Sequence, residues 1–176
     1  MGDRLRTLAL TSGGLGFMRP APGTWGSLPP PAAAFLLVLV GAPRGAIDGA
    51  MLAFVLVGSA ACLALGSWGE TRFGRKDASH IVADETAGQA LVLMFLPLHA
   101  ISTPLRAMLT MGGAFILFRV FDIIKPPPAR GLQRLKGGLG VLIDDLLAGL
   151  YAAILLQAIV RLAWPAISGS GSGIPS

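Results

Sequence analysis

The chain has 176 residues and a net charge of +5, and 53% of its residues are hydrophobic while only 13% are charged. Ordinary globular domains carry about 25% charged residues, so this composition excludes a soluble domain and indicates an integral membrane protein. The basic residues are spread between apolar stretches without interleaved aromatic residues, which argues against a nucleic-acid partner and favours anionic lipid headgroups.

Five apolar segments predict membrane helices. The clearest, 49–69, has 21 residues without a charge, and about 20 are needed to cross a hydrocarbon core about 30 Å thick. The weakest, 28–42, is shorter and opens with three prolines, so it either crosses the membrane or only re-enters it. In chain order the segments are 28–42, 49–69, 87–105, 107–121 and 146–162. The sequence therefore predicts an all-α, polytopic membrane helix bundle with four to five apolar helices.

The predicted bundle forms one domain, residues 1–167, followed by a short tail. Residues 168–176 are mostly alternating Gly and Ser and carry no apolar face, which is typical of a flexible tail. The sequence does not indicate an oligomeric state.

The positions of Lys and Arg predict how the bundle is oriented, because these residues accumulate on the cytoplasmic side of membrane spans. If five spans alternate from a cytoplasmic N-terminus, eleven of the fourteen basic residues lie on the cytoplasmic side. The same topology places the acidic clusters and the glycine-rich segment 22–27 at that interface. We therefore expect the functional loops on the cytoplasmic side.

Acidic residues occur where apolar runs end: Asp84 and Glu85, then Asp122, then Asp144 and Asp145. Ionised side chains at the edge of an apolar span are costly unless they are paired, bound to a metal or functional. A plainer interpretation is that acids in a first helical turn cap free backbone N–H groups and favour the helix dipole. Capping explains one acid per helix more readily than two.

The two acidic doublets share a local pattern that predicts a joint site. In both, an apolar triplet precedes the acids, and a small residue follows about one helical turn later, as Gly88 and Gly149 do. Small residues let helices approach closely in lipid. Four carboxylates brought together would repel one another without a cation between them. Mg²⁺ is the natural candidate because it prefers oxygen ligands, with Ca²⁺ or Mn²⁺ as alternatives.

A third segment presents charges of alternating sign on one helical face. Arg119, Asp122 and Lys125 follow one another at intervals of three residues, so their side chains are neighbours on a helix. Lys125 followed by Pro126 is also what an ordinary helix end looks like. As a functional face, the two cations would bind phosphate while the acid between them is held in place.

The segment 22–27, with Thr24 and Ser27, offers small residues, two hydroxyl groups and free backbone N–H groups. That composition suits a phosphate cradle at the entrance of a helix. An ordinary N-cap ahead of the first span explains it equally well.

Four motifs in this order resemble the bacterial phosphatidylglycerophosphatase A family. They are PGTWGSL at 22–28, IVADETAG at 81–88, FRVFDIIKPPP at 118–128 and GGLGVLIDDLLAG at 137–149. The resemblance implies a Mg²⁺-dependent, multi-pass phosphatase of the inner membrane with its active site facing the cytoplasm. Its reaction would be hydrolysis of the terminal phosphomonoester of phosphatidylglycerophosphate to phosphatidylglycerol and inorganic phosphate. The chain departs from the family pattern at Ala83 and Pro127, where an aromatic residue and a Trp are common.

Motif matching and the residue chemistry together assign roles to the candidate residues. One or two Mg²⁺ ions are expected at Asp84, Glu85, Asp144 and Asp145, and the catalytic residues are expected to be Asp84, Glu85, Asp122 and Asp145. Phosphate binding is expected from Thr24, Ser27, Arg119 and Lys125. Either water or a carboxylate could attack the phosphorus.

A different class of protein could use the same carboxylates: a small membrane cation transporter, or an accessory membrane subunit. Transporters tend to place their acids near the bilayer midplane, on discontinuous helices in paired positions. Here the acids lie at the ends of the predicted spans, and the middle of each span is uncharged. The sequence therefore favours the hydrolase.

Overall fold

The structure is a computed structural model that describes residues 2–74, 78–127 and 138–163. Within these ranges the chain is helical and contains no β-strand, which confirms the predicted all-α class. The predicted tail, 168–176, lies outside the described residues. The α-helices are α1 (Asp3–Leu10), α2 (Pro22–Gly26), α3 (Pro29–Leu39), α4 (Arg44–Phe73), α5 (Ala83–Val92), α6 (Pro104–Ile124) and α7 (Gly138–Ala158). Short 3-10 turns cover Leu15–Phe17 and Leu98–Ile101, and a π-helical turn, Ile159–Ala163, continues α7.

Three helices in the described part of the chain, α4, α6 and α7, are long and apolar enough to cross a membrane. The 30 residues of α4 extend about 45 Å, and the 21 residues of α6 and of α7 extend about 32 Å each. The predicted spans 49–69, 107–121 and 146–162 fall on these helices. The length and composition of the three helices indicate a membrane protein.

The structure shortens the two other predicted spans. The segment 28–42 forms α3 with 11 residues, and 87–105 contributes to α5, which has only 10. These helices are about 17 and 15 Å long, roughly half of a hydrocarbon core. The second segment is divided because the backbone turns at Phe95, which has a φ of +58°, and because Pro97 precedes the next turn.

Helix α5 is enclosed by α4 on one side and by α7 on the other, and glycines make both contacts possible. A Cβ atom on Gly58 of α4 would lie 2.5 Å from the carbonyl oxygen of Ala83. Between α5 and α7, Gly88 lies against the carbonyl of Asp145, and Gly149 lies against the carbonyl of Gly88. The small residues that follow the acidic doublets therefore pack the two helices together, as the sequence predicted.

The bundle has two chemically different ends. At one end, α5 begins, α6 ends and α7 begins; we call this the acidic end, because Asp84, Asp122 and Asp145 lie there. At the opposite end, the Asp48 carboxylate accepts a hydrogen bond of 2.9 Å from the backbone N–H of Phe95. The sequence prediction that the acidic clusters share one end of the bundle is thus confirmed.

The N-terminal segment holds the start of α5 in place. The backbone N–H of Val82 donates to the carbonyl of the buried Leu10 at 2.9 Å, and Gly16 lies directly against the carbonyl of His80. Because Ala83 contacts Gly58 midway along α4, about 22 Å of α4 extends beyond the start of α5. The acidic residues of α5 are therefore recessed relative to the end of α4.

Candidate active site

Three carboxylates from two helices converge at the acidic end. Asp84 and Glu85 lie in the first turn of α5, and Asp145 lies in α7. One oxygen from each lies within 4.8 Å of the others, an arrangement that could hold a metal ion. Asp84 and Asp145 are only 1% and 4% exposed, whereas Glu85 keeps a partial opening to the surface. We call these three residues the acidic trio.

Helix capping does not account for both acidic doublets. In α5, an Asp84 oxygen accepts a hydrogen bond of 3.0 Å from the backbone N–H of Glu85, so part of the capping interpretation holds there. The first turn of α7, however, contains no acid, because Asp144 and Asp145 lie further along the helix. Their backbone N–H groups already have helical partners, so a different role is needed for the second doublet.

The trio concentrates negative charge where water is scarce. Burial raises the pKa of the Glu85 carboxyl well above its usual range, and the neighbouring Asp84 carboxylate raises it further. One buried oxygen of Glu85, Oε2, has no hydrogen-bond partner among the described residues. A site of carboxylate oxygens with an unsatisfied buried acceptor fits a hard divalent cation such as Mg²⁺, which would offset the repulsion.

The face of alternating charges on α6 is formed as the sequence predicted. The Arg119 guanidinium lies 2.8 Å from one oxygen of Asp122, and the Lys125 ammonium lies 3.9 Å from the other. Lys125 also forms an ion pair with Asp144 in α7. Burial alone would lower the pKa of Lys125, but the bond to Asp144 and the surrounding carboxylates raise it, so the side chain stays charged.

Asp144 is therefore placed differently from the trio. Its Oδ2 atom forms an ion pair with the Lys125 ammonium, and Asp144 is not one of the three converging carboxylates. This contact joins the end of α6 to α7 and holds a cation next to the acidic trio. Metal ligation by Asp144 stays a prediction.

Helix α2 covers the site at its outer side. A Cβ atom on Gly23 would collide with the Glu85 carboxylate and would lie 3.2 Å from a guanidinium nitrogen of Arg119. The helix is fixed to α5 by Thr86, whose hydroxyl donates to the carbonyl of Gly26 at 2.7 Å. The segment 22–27 thus contacts the acid and the cation that the sequence analysis had assigned to the site.

The two hydroxyl residues of that segment are placed unequally. Ser27 is buried, and its hydroxyl donates to the carbonyl of Gly23 at 2.7 Å within its own helix. Thr24 is partly buried beside Gly23. Phosphate binding by either hydroxyl stays a prediction, and the Ser27 hydroxyl would first have to leave its present acceptor.

The profile of the family described as Phosphatidylglycerophosphatase A matches residues 8–160, which include the acidic trio and the charged face of α6. The chain belongs to the phosphatidylglycerophosphatase A family. It is therefore an enzyme of a phosphatase family, and the resemblance noted from the motifs is confirmed.

Curated relatives agree with this family assignment. A Haemophilus influenzae protein named phosphatidylglycerophosphatase A is 38% identical over 151 residues, 83% of this chain and 83% of its own length. The Escherichia coli K12 protein of the same name is 36% identical over 93 residues, 52% of this chain and 49% of its own. A Bacteroides thetaiotaomicron protein named "Putative phosphatidylinositol-3-phosphatase" is 36% identical over 156 residues, 86% of this chain and 91% of its own. No solved structure matches the chain.

Two residues near the site of this family member were not predicted. Gly23 was predicted only as part of the possible phosphate cradle 22–27, and its contact with Glu85 depends on how α2 folds back onto α5. Gln89 lies one helical turn beyond Glu85, and its buried amide has no hydrogen-bond partner in the described part of the chain. The four-residue spacing from Glu85 was the available signal for Gln89.

The positions where the chain departs from the family pattern both lie near structural contacts. Ala83 is buried, and its carbonyl packs against Gly58. Pro127 accepts a hydrogen bond of 3.0 Å from the Tyr151 hydroxyl. That bond links the end of α6 to α7 next to the Lys125 ion pair.

Proposed function

We propose that the protein hydrolyses the terminal phosphomonoester of phosphatidylglycerophosphate, giving phosphatidylglycerol and inorganic phosphate. The reaction would depend on Mg²⁺ and take place at the cytoplasmic face of the bacterial inner membrane. Support comes from the family, from the names of two relatives, and from a site whose charges suit a phosphate ester.

The observation that carries the proposal is the pairing of opposite charges at the acidic end. The acidic trio offers oxygens within 4.8 Å of one another, and Arg119 and Lys125 are held nearby by Asp122. A phosphomonoester needs both kinds of partner, because its oxygens are negative and its phosphorus must be made electrophilic. A site of acids alone would bind a cation but repel the substrate.

Each residue then has a distinct task. Asp84, Glu85 and Asp145 would hold one or two Mg²⁺ ions, which would supply a Lewis acid and an activated water. Arg119 and Lys125 would bind the phosphate oxygens, and their ion pairs hold them in position before substrate arrives. Asp122 would orient both cations or act as the general base.

The distribution of basic residues supports the cytoplasmic side for the acidic end. Among the described residues, more Lys and Arg lie toward this end than toward the opposite end, as expected for the cytoplasmic side of membrane helices. Those at the acidic end are Arg4, Arg6, Arg19, Arg72, Arg119 and Lys125, and those at the opposite end are Arg44, Arg106 and Arg161.

The test is release of inorganic phosphate from phosphatidylglycerophosphate by the purified protein, with and without Mg²⁺. We expect Asp84→Asn and Asp145→Asn each to lower the rate by about 100-fold or more, because each removes a charge from the trio. Asp48→Asn is the matched control: its carboxylate pairs with Arg44 at the opposite end, so the activity of the folded protein should stay near wild type. Full activity in both trio variants would contradict the metal assignment.

A second substrate tests the preference for a lipid headgroup separately from the phosphatase reaction. The Bacteroides relative is named for a phosphatidylinositol phosphate, so phosphatidylinositol 3-phosphate belongs in the same assay. Faster release from that lipid would reject the proposed headgroup while leaving the site chemistry in place. Mg²⁺ flux through proteoliposomes without release of phosphate from either lipid would favour the transporter instead.

A further inference from the structure

Gln89 is a polar residue in a position where an apolar side chain would be expected. It is 0% exposed, and neither its amide nitrogen nor its amide oxygen has a hydrogen-bond partner among the residues that the structure describes. A buried carboxamide without partners destabilises a fold, and such groups in native proteins often mark a catalytic role or a bound water or ion. The residues next to it in the sequence are small or apolar: Gly88, Ala90, Leu91 and Val92.

The position of Gln89 on α5 connects it to the acidic trio. Residues four apart share a helical face, and helical side chains lean toward the preceding turn, so the Gln89 side chain is expected to lean toward Glu85. The Oε2 atom of Glu85 is itself buried and lacks a hydrogen-bond partner within the described ranges. An unsatisfied donor and an unsatisfied acceptor thus occupy successive turns of one helix without bonding to each other.

A second glutamine shows what a purely structural amide looks like in this protein. Gln157 of α7 donates to the carbonyls of Met94 and Phe95 at 3.1 and 3.0 Å, and its oxygen accepts from Arg161 at 2.8 Å. Its hydrogen bonds hold the turn after α5 against α7. Across residues 2–74, 78–127 and 138–163, Gln89 makes no hydrogen bond of this kind.

We propose that Gln89 is the inner positioning residue of the cation site. Its amide N–H would hold Glu85, directly or through one water, and its amide oxygen would accept a hydrogen bond from a cation-bound water. Mg²⁺ usually retains several waters, and the protons of those waters need acceptors. This inference rests on the proposed function, because it needs the acidic trio to bind a divalent cation.

The test compares Gln89→Met with Gln157→Met, two substitutions of the same shape. Thermal unfolding of each purified variant is followed in detergent over a series of MgCl₂ concentrations, without substrate. Gln89→Met should leave the melting temperature without Mg²⁺ unchanged or raise it, because it removes an unsatisfied buried amide. The Mg²⁺ concentration that gives half of the stabilisation should rise about tenfold or more. Gln157→Met should do the opposite, with a lower melting temperature and unchanged Mg²⁺ dependence.

Each other outcome contradicts the inference in a distinct way. A Gln89→Met protein with wild-type Mg²⁺ dependence would show that the amide plays no part in the cation site. A Gln89→Met protein that melts well below wild type without Mg²⁺, or fails to fold, would show that the amide has a structural partner. Failure of the proposed function looks different, because the wild-type protein would then gain no stability from Mg²⁺ or would release no phosphate.

Discussion

The carboxylates of the acidic trio are costly residues for a membrane bundle, and the bundle surrounds them with specific partners. Burial raises the pKa of Glu85, while Arg119 and Lys125 form ion pairs with Asp122, and Lys125 also with Asp144, next to the trio. An incoming anion would meet the two positive side chains, and a cation would meet the trio. This separation of charges within one recess is the chemical basis of the proposed reaction.

Gly23 gives a prediction for a single residue, because its missing side chain leaves room for Glu85. In Gly23→Ala the new methyl group would collide with the end of the Glu85 side chain, which can rotate away at little cost in stability. The carboxylate would then leave its position in the trio. We expect the rate of phosphate release to fall by about 10- to 100-fold, since small displacements of catalytic groups have effects of this size, while the melting temperature stays near wild type.

The matched control for this substitution is Gly45→Ala in α4, where the added methyl group meets open space. A helical alanine there should stabilise the protein slightly, by about 0.5–1 kcal/mol, and leave activity unchanged. Equal activity in Gly23→Ala and Gly45→Ala would show that α2 does not shape the site.

At the scale of helices, the crossing of α5 and α7 sets the distance between the acidic doublets. Gly88 lies against the carbonyl of Asp145, and Gly149 lies against the carbonyl of Gly88, so neither has space for a Cβ atom. This part of the site could be predicted from the sequence, because a small residue follows each doublet by one turn on the same face. The pattern identified both the helix pair and the residues between which a cation could lie.

Other features of the same helices could not be predicted from local sequence. The segment 87–105 is apolar enough to span a membrane, but the turn at Phe95 divides it, and that turn is secured by the distant Asp48. Hydropathy measures composition and length, not contacts between helices. The placement of Asp144 opposite Lys125 likewise depends on how α6 meets α7. By contrast, the helices with long uninterrupted apolar sequence were located correctly.

Gly149→Ala tests the helix crossing directly. Its methyl group would press on the carbonyl of Gly88, which is backbone and cannot rotate away, so α5 and α7 must move apart. Overpacking of this kind costs typically about 1–3 kcal/mol, and the separation should also weaken stabilisation by Mg²⁺. Gly112→Ala in α6, where the methyl group meets open space, is the control. Unchanged stability and Mg²⁺ response in Gly149→Ala would contradict a tight crossing at this point.

At the scale of the whole molecule, the short helices create the recess in which the site lies. Helix α5 begins about 22 Å before the end of α4, beside Gly58, and α3 also begins close to this level, next to α2. Half-length helices leave the acidic residues below the end of the long helix instead of on an open surface. A lipid headgroup would therefore have to enter this recess to reach the trio.

The orientation of this recess can be measured by labelling cysteines from one side of the membrane. The chain has a single cysteine, the buried Cys62, so Cys62→Ala gives a background without reactive thiols. On this background, Thr71→Cys reports on the acidic end and Ser102→Cys on the opposite end, both at exposed positions.

If the acidic end faces the cytoplasm, a membrane-impermeant maleimide added to spheroplasts should label position 102 at once. Position 71 should be labelled only after the membrane is opened, and labelling of both in detergent shows that each thiol is reactive. The reverse pattern would place the active site on the outer side of the membrane. It would contradict the orientation indicated by the basic residues, which rests on the charge bias of short segments that flank the spans.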